Sequence, residues 1–145
     1  MKKVMLSLFI LLSISVLSAH GQTIEKKKFH FGREQDTTAG YAQVVKVDNV
    51  LYVSGTVATE ITPKSIQNIY QTIEKSLAHF GATLQNVVKE NLYTTDIEAM
   101  KLHNEARKKM YKGDYPAATW VQISRLYMPE AKLEIEVIAH LPKSQ

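Results

Sequence analysis

Six runs rich in β-branched and aromatic residues are interrupted by only two helical stretches, and several of the runs are apolar on both sides. This is the tightest constraint on the fold. Val44, Val45 and Val47 in one run, and Leu133, Ile135, Val137 and Ile138 in another, leave neither side of the strand polar. A strand with one face in water alternates apolar and polar residues, whereas a strand covered on both faces does not. Two helices can cover one face of the sheet. The other face needs apolar cover from elsewhere, and the expected source is another copy of the chain.

The strands are expected at Glu25–Phe31, Ala42–Val47, Val50–Ser54, Val87–Tyr93, Ala117–Ile123 and Lys132–His140. Asp48-Asn49 separates the second and third with residues that tolerate positive φ, a hairpin signal, and Gly55 is expected to end the third. Gly32 to Gly40 reads as a polar, turn-rich connection. In the fourth strand, Val88, Glu90 and Leu92 are expected on one side. Thr62-Pro63 opens a helix, with threonine at the cap and proline at the first helical position. Ile66, Ile69, Tyr70, Ile73 and Leu77 follow on one helical face, and Gly81 marks the stop. Asp96 caps a second helix whose apolar face is expected to be Ala99, Leu102, His103, Ala106 and Met110. Lys101, Lys108, Lys109 and Lys112 fall mainly on its other faces. The order is strands, helix, strand, helix, strands. It predicts an α+β sandwich with two helices on one face of a mixed β-sheet.

Composition narrows the function classes. Lys2 and Lys3 precede an uncharged run from Val4 to Leu17, closed by Ser18-Ala19-His20-Gly21. This is the pattern of a cleavable signal peptide over residues 1–21, with 22–145 as the mature domain. The apolar run is about 14 residues, short of the roughly 20 that cross a bilayer as a helix. The expected localisation is therefore export to a periplasm or the medium, with no membrane association after cleavage. The formal charge of +4 loses two with Lys2 and Lys3, so the mature domain calls for no nucleic-acid partner. Lys26-Lys27-Lys28 reads as a solvated strand edge that discourages edge pairing. Cysteine is absent, which removes disulfides, thiol nucleophiles and cysteine-ligated zinc, so the core alone must hold the fold. The five histidines (His20, His30, His79, His103, His140) show no metal-ligand spacing. His103 reads as a packed histidine, and Ser54-Gly55 resembles no nucleophile elbow.

Five stretches in order resemble the RidA (YjgF-type) family. They are Val47-Asp48-Asn49-Val50-Leu51-Tyr52-Val53-Ser54-Gly55, Gly81-Ala82-Thr83-Leu84-Gln85-Asn86-Val87-Val88-Lys89 with the Thr95-Asp96 cap, Asn104, Tyr115-Pro116-Ala117, and Leu133-Glu134-Ile135-Glu136-Val137-Ile138-Ala139. The resemblance extends over nearly all of Tyr41 to Ala139. The resemblance implies a chorismate-mutase-like fold, a homotrimer, and small-ligand clefts where neighbouring subunits meet. It further implies hydrolysis of imines or enamines to keto acids and ammonia without a cofactor. On the matching positions, Glu134 would handle water, Tyr41 and Asn104 would line the cleft, and Gly55 would lend backbone groups. One departure stands out. The family's deaminating members read Pro-Ala-Arg where this chain reads Pro116-Ala117-Ala118, so the guanidinium that would grip a substrate carboxylate is a methyl group. The loop after Gly55 is also short and lacks the family's proline, and no proline separates Gly40 from Tyr41.

Without that arginine, burial is expected to raise the pKa of Glu134 and to favour a neutral or cationic ligand. Trp120 shares a strand face with Ala118. It either fills the space, stacks on a ligand, or simply packs. Arg107 and Arg125 read as surface charges, and Glu134 and Glu136 share a face. Three readings compete: a divergent imine or enamine hydrolase, a non-catalytic small-molecule binder of the same fold, and an RNA-binding protein. The modest charge of the mature domain argues against the last.

Overall fold

The computed structural model describes residues 23–142, so the signal sequence expected at 1–21 lies outside the described residues. Six strands form one mixed sheet: β1 (Lys27–Phe29), β2 (Val44–Val47), β3 (Val50–Ala58), β4 (Val87–Thr94), β5 (Ala117–Gln122) and β6 (Leu133–His140). Their spatial order is β1-β2-β3-β6-β4-β5, with β4–β5 parallel and the other pairs antiparallel. The helices are α1 (Arg33–Thr38), α2 (Pro63–Ala78), α3 (Ile97–Leu102) and α4 (Asn104–Tyr111). The architecture is the expected α+β sandwich.

The hairpin between β2 and β3 turns at Asp48, whose φ is +50°, a conformation that aspartate tolerates better than most residues. α2 starts where the sequence says. Thr62 Oγ1 accepts from the Ser65 backbone N–H at 3.2 Å and Ser65 Oγ accepts from the Thr62 N–H at 2.9 Å, with Pro63 at the first position. Together these satisfy backbone donors that the helix itself cannot. Its buried face is Ile66, Ile69, Tyr70, Ile73 and Leu77, as the spacing predicts. Burying each large aliphatic side chain contributes roughly 1.5–3 kcal/mol. These residues pack on Leu51, Val53, Leu92, Leu133, Ile135 and Val137 from the sheet. Among the described residues, the opposite sheet face has no helix layer, and Tyr52, Val57 and Val121 are exposed.

Four expectations fail for identifiable reasons. The stretch 32–40 is not merely a turn: α1 forms within it, a polar helix without apolar periodicity whose one buried residue is Asp36. Gly55 does not end β3, which runs to Ala58 through a shift in pairing between Val53 and Thr56. Glycine at such a bulge bends the strand without breaking it. The second helix is broken at His103 (φ −101°, ψ 13°) into α3 and α4. The break rotates the buried face to Met100, Ala106, Arg107 and Tyr111, and leaves Leu102 77% exposed. Finally, pairing shifts between Val87 and Lys89. Val88 is therefore exposed, while Glu90 and Leu92 face the core.

Candidate functional site

β4 and β6 are neighbours near one edge of the sheet, and their register sends their glutamates to opposite faces. Tyr93 lies across from Glu134 and Asn91 across from Glu136, whereas Glu90 lies across from the buried Val137. Glu134 and Glu136 thus stand on the uncovered face, as their spacing predicts, and Glu90 points under the helices.

On the uncovered face Glu134 is held against the β3 bulge. A β-carbon built at Gly55 would sit 2.7 Å from Glu134 Cδ, so only glycine lets the carboxylate lie on the backbone there. The segment leading in from Tyr41 is bonded to the same bulge. Ser54 N–H donates to Gln43 O at 2.9 Å, Ser54 Oγ donates to Ala42 O at 2.7 Å, and Gln43 Nε2 donates to Ser54 O at 3.2 Å. The Glu134 carboxylate receives no hydrogen bond among the described residues. Burial, followed by repulsion from Glu136, raises its pKa above the usual carboxylate value. Glu136 is better satisfied: Asn91 Nδ2 donates to it at 2.8 Å and the Tyr93 hydroxyl at 3.2 Å. A half-buried acid with a raised pKa and no donor is a candidate proton acceptor.

Beneath the helices, Glu90 is fully buried and saturated. Arg107 Nε donates to its Oε1 at 2.9 Å, and the Tyr70 and Tyr111 hydroxyls each donate to Oε2 at 2.8 Å. Burial opposes the charge on Arg107, but Glu90, Tyr70 and Tyr111 together more than offset it and hold the guanidinium protonated. That guanidinium lies 5.0 Å from the Tyr111 ring centroid and 5.4 Å from that of Trp120, within cation–π range. Arg107 is therefore not the surface charge its sequence position suggests. Arg125 is exposed and donates to Tyr127 O at 3.2 Å.

Ala118 pairs in register with Glu90, and Trp120 with Leu92. Both residues face the helix side on the edge strand β5. Trp120 is half-buried against the core and under Arg107, while Ala118 is exposed. Asn104 opens α4, one turn before Arg107, and its Oδ1 is buried without a hydrogen-bond partner among the described residues. The expected site residues therefore form two groups. Gly55 and Glu134, with Tyr41 leading to them, belong to the uncovered face. Asn104, Ala118 and Trp120 belong to the helix side.

Sequence reasoning missed the Glu90–Arg107–Tyr70–Tyr111 network. The available signal was a glutamate placed on the same strand face as Leu92. It also missed a second buried pair, His30 Nδ1 and Asp36 Oδ2 at 3.1 Å, with side chains 9% and 6% exposed. Asp36 stands beside Tyr41, whose hydroxyl pKa is raised by burial and then by that carboxylate.

A family model described as Endoribonuclease L-PSP matches residues 32–141. A RutC family protein of Buchnera aphidicola is 27% identical over 110 residues, which is 68% of this chain and 85% of that one. The mitochondrial protein MMF1 of Saccharomyces cerevisiae is 29% identical over 109 residues, 70% of this chain and 74% of its own. Among solved structures, a Mycobacterium tuberculosis member of the YjgF family superposes with a TM-score of 0.73 at 25% identity. The match covers 81% of this chain and all of that one.

Proposed function

Because the chain belongs to the Endoribonuclease L-PSP family, which includes the YjgF and RidA proteins, we propose that it hydrolyses small imine- or enamine-type metabolites, with Glu134 handling the water. The observation that carries this is the Glu134 carboxyl itself. It is half-buried, receives no hydrogen bond among the described residues, has a raised pKa, and occupies space that a side chain at position 55 would take. An ionised Glu134 takes a proton from water as the oxygen attacks the carbon of a C=N bond. The same proton goes to the nitrogen; the carbinolamine hydroxyl then passes its own proton through Glu134 to that nitrogen as the C–N bond breaks, leaving a carbonyl compound and ammonia. An enamine enters after tautomerising to the imine. No cofactor is required by this sequence of steps.

The working site is proposed to be a cleft between subunits of a homotrimer. Gly55 and Glu134 stand on one sheet face and Ala118 and Trp120 on the other, so a second copy is the means of bringing the two groups together. The uncovered face, with Tyr52, Val57 and Val121 exposed, is the surface such assembly would bury. Export through a cleaved signal at residues 1–21 belongs to the same proposal, as does the absence of a nucleic-acid partner.

Ammonia release from imino acids, neutral imines and enamines, freshly generated beside the purified mature protein, tests the reading. Wild type is expected to accelerate release and Glu134→Gln to return it to background. No acceleration on any member of the panel would end the hydrolase proposal. Sedimentation at working concentration tests the trimer.

A second reading is a non-catalytic binder of the same fold. It is favoured by Ala118, where the family's deaminating members carry the guanidinium. Ala118→Arg separates the two. Imino-acid deamination gained by that variant, in a chain that otherwise lacks it, shows an intact scaffold missing only its clamp.

A further inference from the structure

Next to Tyr41 the chain builds a basic recess partly from residues that precede the family match. We propose that it binds the carboxylate of a small organic anion, in place of the guanidinium missing at Ala118. The choice of a 2-imino or 2-oxo acid as that anion rests on the hydrolase reading. The recess itself does not.

Lys28, His30, Arg33, Thr37, Gly40 and Tyr41 line a recess of about 380 Å³, within the range of small-molecule sites. β1 sets Lys28 across from Val45, and Val45 pairs with the exposed Tyr52 on the uncovered face. His30 follows two residues later, and α1 brings Arg33 and Thr37 over it. Neither Lys28 nor Arg33 forms an ion pair among the described residues. Asp36, the acid buried at this place, is already engaged with His30 Nδ1. That bond fixes the imidazole and leaves Nε2 without a hydrogen-bond partner among the described residues. The Thr37 hydroxyl is also committed, donating to Arg33 O at 2.7 Å. The Tyr41 hydroxyl leans on Asp36, so the donors left for a ligand are the Arg33 fork and the Lys28 ammonium. A planar guanidinium grips two oxygens at once, and an ammonium adds a mobile point charge. Tyr41 is the wall this recess shares with the cleft proposed above. The glycine before it has φ +82° and presents no side chain.

Calorimetric titration with pyruvate and with its neutral analogue pyruvamide tests the assignment. Pyruvate is expected to bind more tightly than pyruvamide. The double variant Lys28→Gln/Arg33→Gln is expected to weaken pyruvate at least tenfold and leave pyruvamide unchanged. Arg125→Gln, which removes an exposed charge elsewhere, is expected to change neither. Equal binding of acid and amide, undiminished pyruvate binding in the double variant, or the same loss in Arg125→Gln would each overturn the proposal. Tighter Arg33-dependent binding of inorganic phosphate than of pyruvate would overturn the carboxylate assignment. Ammonia release keeps the two readings apart. A wild type that binds pyruvate through Arg33 but releases no ammonia sinks only the hydrolase. One that deaminates imino acids equally well with and without Lys28 and Arg33 sinks only the recess.

Discussion

Glu90 and Glu134 sit on adjacent strands and meet opposite fates. Glu90 is fully buried, yet three donors reach it, one of them a guanidinium. Glu134 is only half-buried, yet no donor reaches it among the described residues, and its nearest charged neighbour on the strand face is another acid. A buried carboxylate with its lone pairs occupied is held in one state by its surroundings, because any change of charge leaves partners stranded. A carboxylate with a raised pKa and open lone pairs can exchange a proton at little structural cost. The difference separates a residue that fixes the fold from one that can do chemistry, and the sheet separates them in space.

The comparison is sharpest in stability. Glu90→Ala strands Arg107 and two tyrosine hydroxyls, and is expected to cost about 3–5 kcal/mol in chemical denaturation at fixed protein concentration. Glu134→Gln is expected to change stability by less than about 0.5 kcal/mol, since it removes an unpartnered charge. Equal costs for the two substitutions would break the distinction. Gly55→Ala comes next. Its new β-carbon forces the flexible Glu134 carboxylate aside, for about 1 kcal/mol of stability, while the Glu134-dependent rate falls much further. A variant with unimpaired turnover would show that the contact with the bulge is incidental.

The smallest effects are in pH dependence. The pKa of Glu134 in the folded chain lies above 4.5, so hydrolysis that needs its carboxylate is expected to rise with pH along a limb displaced upward from an ordinary glutamate. Glu136→Gln removes the repulsion and should move that limb to lower pH. Linkage gives the matching sign for folding. The folded chain holds the Glu134 proton more tightly than the unfolded chain does. The favourable contribution is therefore complete below 4.5 and fades as pH rises through the folded value. A limb unmoved by Glu136→Gln would assign the shift to burial alone.

Most of the sheet and all of α2 could be read from the chain because local rules and global packing agree there. The Asp48 turn, the Thr62–Ser65 cap, the helical stripe from Ile66 to Leu77 and the stop at Gly81 each follow from residues within a few positions of one another. Reading failed where one residue shifts a register. The bulges at Val88 and Gly55 and the break at His103 are small local events, and each redirects every side chain that follows it on its element. α1 was missed because a polar helix carries no periodic signal.

The candidate site divides along the same line. Sequence alone assigned Glu134, Gly55 and Tyr41 to one expected cleft through a family resemblance, and it showed alanine at position 118 where that resemblance expects arginine. Only the tertiary structure showed that Arg107 is committed to Glu90, that Ala118 and Glu134 occupy opposite faces, and that Lys28 and Arg33 converge beside Tyr41. A residue's type and its neighbours in the chain fix its local backbone preference. Which charge meets which is decided by contacts between positions far apart in sequence, and those exist only once the strands have chosen their partners.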